Sequence, residues 1–195
     1  SRPACRALPG VAEPEVELVN RFRDIGMGHE LELHAIRNTL AALDLALRVG
    51  APALEFDVRA TRDGVPVLFH DETLDRTTSG RGRIADLSFR ELNQLDAGSW
   101  FSAEFENERV PGLAEVLQAV SNRANRLYVE LKPGGLTPRQ LRQVVEDLTL
   151  HGFTHNAVVM SFDWSLLEGV RGLSPDITLA FLADDESAFR RAVQR

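Results

Sequence analysis

Residues 55–71 read EFDVRATRDGVPVLFHD. Two acids, Glu55 and Asp57, stand inside an otherwise apolar run, and His70 closes a second such run. Side chains two apart on a strand share a face. Leu54, Phe56 and Val58 therefore fall on one side of the first run, with Ala53, Glu55 and Asp57 on the other. The stretch 126–131, RLYVEL, repeats the arrangement. Leu127, Val129 and Leu131 point one way; Tyr128, Glu130 and then Lys132 point the other. The charges come late in each run, at the C-terminal end, where parallel α/β sheets and barrels collect their function.

A buried carboxylate without a partner is costly, and three that converge repel one another unless a cation compensates. Glu55, Asp57 and Glu130 offer only oxygen, with no Cys or His cluster beside them, a donor set that suits Mg²⁺ or Ca²⁺ rather than zinc. Taken singly, the same residues have a plainer reading. Glu55 and Asp57 can be solvated at a strand end or paired with Arg59 and Lys132, and His70 can be a structural histidine.

The rest of the chain alternates helix and strand signals. NTLAALDLALRVG (38–50) has Asn38 or Thr39 as cap, Leu40, Leu43 and Leu47 on one face, and Gly50 as stop. TPRQLRQVVEDLTLHG (137–152) opens with a Thr137 cap and Pro138 in the first turn. Further helices are expected from Leu113, Asp163 and Asp184 or Asp185. Strands are expected at 53–58, 66–70, 126–131, 157–162 and 177–182, with a weaker one at 24–29. This alternation implies βαβ units and a parallel sheet. Residues 81–112 are too long for a simple connection and read as an inserted, partly helical excursion. Residues 1–24 form an N-terminal extension, and 25–195 form one β/α domain.

Composition narrows the function. At 195 residues, 44% hydrophobic and 26% charged, the chain is ordinary globular material. A net charge of −7 without a long basic run argues against nucleic acid and against a polybasic membrane patch. It leaves room for a small phosphate-bearing substrate, because a bound cation can reverse the local field. The single cysteine, Cys5, forms no intramolecular disulfide. No transmembrane segment or signal peptide is evident, so a cytoplasmic location is expected.

In order, E-x-D-V at 55–58, T-x-D-G-x-P-V at 61–67, H-D-x-x-L-x-R-T-T at 70–78 and E-x-K at 130–132 resemble the glycerophosphodiester phosphodiesterase family over about residues 29–182. The resemblance implies a TIM-type (β/α) barrel and a divalent cation, Mg²⁺ or Ca²⁺. The implied reaction is hydrolysis of a small-molecule glycerophosphodiester to glycerol phosphate and an alcohol. By motif, Glu55, Asp57 and Glu130 look like the metal ligands, and Lys132 like a phosphate-contacting cation. His70 looks like one of two acid/base histidines. The other family histidine opens a His-Arg-Gly motif; His29 is the positional match and His34 the alternative.

The chain departs from the family at two places. Glu30 and Leu31 stand at the expected Arg and Gly, and Glu30 would repel the substrate there. Eight βα units take about 250 residues, so an incomplete barrel of about six units is expected, with a longer native protein or a homo-oligomer closing the gap. Two alternatives stand beside the hydrolase reading. One is a catalytically silent member serving as a binding scaffold. The other is a related phosphodiesterase acting on lysophospholipid headgroups.

Overall fold

The computed structural model describes residues 6–7 and 38–183. The expected strand at 24–29, the helix after Asp184, and His29 and His34 lie outside the described residues, as do Cys5 and most of the N-terminal extension. The described elements are β1 (Arg6–Ala7), α1 (Leu40–Arg48), β2 (Ala53–Ala60), β3 (Pro66–Leu68), a short α2 (Phe89–Leu92), α3 (Leu113–Val120), β4 (Arg126–Leu131), α4 (Pro138–Leu150), β5 (Ala157–Ser161), α5 (Trp164–Leu173) and β6 (Thr178–Phe181). The strands form one sheet in the order β1-β6-β5-β4-β2-β3. The four central strands β2, β4, β5 and β6 are parallel, an arc of a (β/α) barrel with helices along its outside.

Three of the longer helices begin where a capping side chain dictates. Thr39 caps α1 by accepting from the Ala42 amide. Thr137 and Gln140 form a reciprocal capping box on α4, with Pro138 in its first turn. Asp163 accepts from the Ser165 amide to start α5. The apolar faces then pack on one side of the sheet. Leu54, Phe56 and Val58 of β2, and Leu127, Val129 and Leu131 of β4, meet Leu113, Val116 and Leu117 of α3 and Leu141, Val144 and Leu148 of α4. Fully burying each such side chain contributes roughly 1.5–3 kcal/mol.

β3 departs from the expected parallel arrangement. It runs antiparallel to β2, with Val58 opposite Leu68 and Ala60 opposite Pro66. A parallel return needs a crossover of about a dozen residues or more, and 61–65 are too few. They instead form a hairpin turn: the Thr61 amide donates to the Val65 carbonyl, and Gly64 takes a positive φ of 87°. The strand ends at Leu68, so His70 stands just beyond it.

Two residues of the N-terminal arm, Arg6–Ala7, pair antiparallel with β6 and occupy its outer edge. An unpaired strand edge readily takes such a partner. Among the described residues no helix is long and apolar enough to cross a membrane.

The excursion carries a core of its own. Val67 and Phe69 pack with Leu74, Ile84, Leu92, Ala97 and Val110. Its outer loop turns on Asp96, whose carboxylate accepts from the amides of Gly98 and Ser99, the Ser99 hydroxyl, and the Asn107 amide. Gly98 lies against Phe105; a Cβ there would stand 2.0 Å from the Phe105 carbonyl oxygen. Gly98→Ala is therefore expected to destabilise the protein by about 1–3 kcal/mol, the usual cost of overpacking, read as a lowered urea midpoint.

Candidate active site

Parallel pairing of β2 and β4 sets Asp57 directly opposite Glu130. Both are buried, at 2% and 8% exposure, on the face away from the helices. Two carboxylates in that register repel. Lys132, itself only 7% exposed, resolves the conflict. Its Nζ lies 2.7 Å from Asp57 Oδ1 and 2.7 Å from Glu130 Oε1. An ammonium has three N–H donors, so these two contacts leave one for a further acceptor.

Glu55 is more exposed and completes a triad. One carboxylate oxygen each from Glu55, Asp57 and Glu130 lies within 4.8 Å of the others. Ca²⁺–oxygen bonds of about 2.3–2.6 Å put opposite ligands roughly 5 Å apart, so this spacing suits one divalent cation. The donor set, oxygen alone, suits it too.

The electrostatics point the same way. Burial pushes the Glu130 carboxyl above its ordinary value; Lys132 draws it down, and the charge on Asp57 pushes it further up. For Lys132, burial alone would lower the ammonium, but the Asp57 carboxylate and then Glu130 outweigh it and hold it above its usual range. Lys132 is thus shared between the two buried carboxylates, Asp57 and Glu130.

Asn38 orients Asp57. Its Nδ2 donates to Asp57 Oδ2 at 2.9 Å, and its Oδ1 accepts from the Asp57 amide at 2.9 Å. The backbone of Asn38 has φ of 65°, a conformation Asn tolerates better than most residues. From sequence Asn38 was only a candidate cap. The signal that could have found it is its place immediately before the Thr39 cap, where the chain turns into α1 beside the β2 end.

His70 is exposed, beyond the end of β3. Its Nδ1 lies 2.7 Å from Asp71 Oδ1, and Arg76 binds both Asp71 oxygens, Nε to Oδ2 at 2.6 Å and Nη2 to Oδ1 at 2.9 Å. Hydrogen bonding to Arg76 holds the Asp71 carboxyl down to about 2, against some burial and with help from His70. An ionised carboxylate only accepts, so the proton sits on Nδ1 and Nε2 of the neutral ring is the basic nitrogen. The Phe69 amide donates to the Asp57 carbonyl, which holds the residue before His70 beside β2. Asp71 and Arg76 lay inside the H-D-x-x-L-x-R stretch, but no sequence argument on its own showed that they contact each other. A separate concavity of about 650 Å³, between the hairpin turn and the starts of α3 and α4, is lined by none of these site residues.

These strand-end acids on a (β/α) arc form an oxygen-rich group that could hold a cation. Comparison with known proteins makes the class specific. The chain belongs to the glycerophosphoryl diester phosphodiesterase family, whose model matches residues 26–194. It is 34% identical to a glycerophosphodiester phosphodiesterase of Caldanaerobacter subterraneus, over 74% of this chain and 60% of that one. It is 32% identical to the human glycerophosphodiester phosphodiesterase 1, over 91% of this chain and 52% of that one.

Among solved structures, it matches a glycerophosphodiester phosphodiesterase from Agrobacterium tumefaciens with a TM-score of 0.68 and 37% identity, covering 74% of this chain and 60% of that one. It also matches an Oleispira antarctica phosphodiesterase solved with the product sn-glycerol-3-phosphate, with a TM-score of 0.68 and 31% identity, covering 82% and 66%. The chain thus spans between half and two thirds of the length of these relatives, and its fold is that of an incomplete TIM-type barrel.

Removing the shared cation should be costly. Lys132→Met leaves Asp57 and Glu130 buried and uncompensated, and is expected to destabilise the cation-free protein by about 3–5 kcal/mol. Added Ca²⁺ should recover much of that loss, read as melting temperature with and without the ion.

Proposed function

We propose that this chain carries the site of a metal-dependent phosphodiesterase that hydrolyses glycerophosphodiesters to glycerol phosphate and an alcohol. The observation that carries the reading is the convergence of Glu55, Asp57 and Glu130, with Lys132 among them and His70 at the neighbouring strand end. The names of its relatives support it, as does the product found in the Oleispira structure.

A phosphodiester resists attack because its negative charge repels nucleophiles. Glu55, Asp57 and Glu130 would hold a divalent cation, Mg²⁺ or Ca²⁺, which when bound withdraws charge from a nonbridging phosphoryl oxygen. Lys132 directs its remaining N–H toward the phosphate and neutralises part of the charge that grows there. Asn38 keeps the Asp57 carboxylate in a single orientation. His70 moves a proton at Nε2, accepting it from the attacking oxygen or returning it to the leaving one. The Asp71–Arg76 pair keeps the other ring nitrogen protonated throughout. The second proton carrier is assigned to His29 by its motif position.

The direct test is release of glycerol phosphate from glycerophosphocholine with Mg²⁺ or Ca²⁺. Turnover is expected, lost on chelation and reduced roughly 10²–10⁴-fold in His70→Ala; turnover no greater than in that variant would sink the proposal. Asp71→Asn supplies an amide that can donate to Nδ1 as well as accept from it. Part of the population then holds the unproductive tautomer. Steady-state kinetics should show kcat falling, by less than in His70→Ala, with KM little changed.

A further inference from the structure

We infer that Arg59 binds the phosphate of the substrate, and this rests on the phosphodiesterase reading above. Arg59 is the third member of the row Glu55, Asp57, Arg59 on the site face of β2. Each step of two residues advances about 6.6 Å along a strand, so Arg59 stands one step beyond Asp57, at the mouth of the cluster. Its side chain is half-buried and fixed from one side: Nε donates to the His70 carbonyl at 2.9 Å. On the other side the guanidinium lies over the loop that follows β4. A Cβ at Gly135 would stand 3.8 Å from Arg59 Nη1, so the glycine leaves that edge uncrowded. The group thus spans from the end of β3 to the loop after β4, across the strand ends that bear Asp57 and Glu130.

With Nε committed, the edge formed by Nη1 and Nη2 remains. Among the described residues no ion pair or hydrogen bond occupies it. A planar fork with one anchored nitrogen and a spare edge is matched to a tetrahedral oxyanion, which it meets with two parallel hydrogen bonds.

The test is calorimetric titration of the Ca²⁺-loaded protein with sn-glycerol 3-phosphate, beside a separate titration of the protein with Ca²⁺. Arg59→Gln is expected to weaken phosphate binding roughly tenfold to hundredfold, with Ca²⁺ affinity and melting temperature close to wild type. Arg59→Lys, which keeps the charge and loses the fork, should fall between. With glycerophosphocholine, Arg59→Gln should raise KM more than it lowers kcat.

Wild-type affinity for sn-glycerol 3-phosphate in Arg59→Gln would overturn the inference, as would failure of the wild-type protein to bind it. Equal loss of Ca²⁺ binding and phosphate binding in both variants would also overturn it, because Arg59 would then be a tie between strand ends only. A wild-type protein that hydrolyses glycerophosphocholine while Arg59→Gln binds normally refutes the role of Arg59 and leaves the phosphodiesterase reading intact. Binding that depends on Arg59 without any turnover does the reverse.

Discussion

The ammonium of Lys132 between Asp57 and Glu130 is the interaction on which the site depends. Parallel pairing puts the two acids directly opposite each other, in a place where neither reaches bulk water. That register is imposed from the other face. Leu54, Phe56 and Val58, with Leu127, Val129 and Leu131, belong to the core under the helices, and a one-residue slip of either strand would turn its own three outward. The hydrophobic packing thus forces two like charges together, and Lys132 makes the arrangement tolerable. Burial holds the Glu130 carboxyl above its ordinary value even with Lys132 drawing it down.

His70 reaches the same point by a different route. It belongs to the segment that leads from the β2–β3 hairpin toward the excursion, not to a parallel strand. Three restraints define its place. The Phe69 amide donates to the Asp57 carbonyl, continuing the hairpin ladder past the end of β3. Arg59 holds the His70 carbonyl, and Asp71 holds the ring. Behind it, the small core around Leu74, Ile84 and Leu92 keeps the excursion from peeling away. The inserted segment is therefore part of the site's support. Arg62 and Asp63 of the hairpin turn also clasp it, through Glu91 and the Phe89 amide.

Much of this was readable in advance. The strand faces around Glu55, Asp57 and Glu130 followed from alternation alone. The caps Thr39, Thr137 and Asp163 and the run 126–131 are where their side-chain chemistry places them. The plainer reading of Lys132 as an ion-pair partner and the reading of it as a phosphate contact are both compatible with its geometry, since one residue can serve both. What escaped were contacts that depend on the turn before α1 and on the hairpin. Asn38 reads as a cap because its neighbours look helical, and nothing local reveals that its amide faces Asp57. Arg59 reads as an ion-pair partner for Glu55 and Asp57, and nothing local reveals that β3 folds back and brings the His70 carbonyl to its Nε.

The sequence by itself determined which residue types face which side of each strand, where the helices begin, and that the acids gather at strand ends. These depend on periodicity and on short-range hydrogen bonding, both of which act within a few residues. Only the tertiary structure decided that β3 returns antiparallel, that Asp57 faces Glu130 across a strand boundary, and that Lys132, Asn38 and Arg59 surround them. Those facts depend on chain reversal and on register between segments some 70 residues apart. That register is set by the shared core as a whole, and no single stretch of the chain contains it.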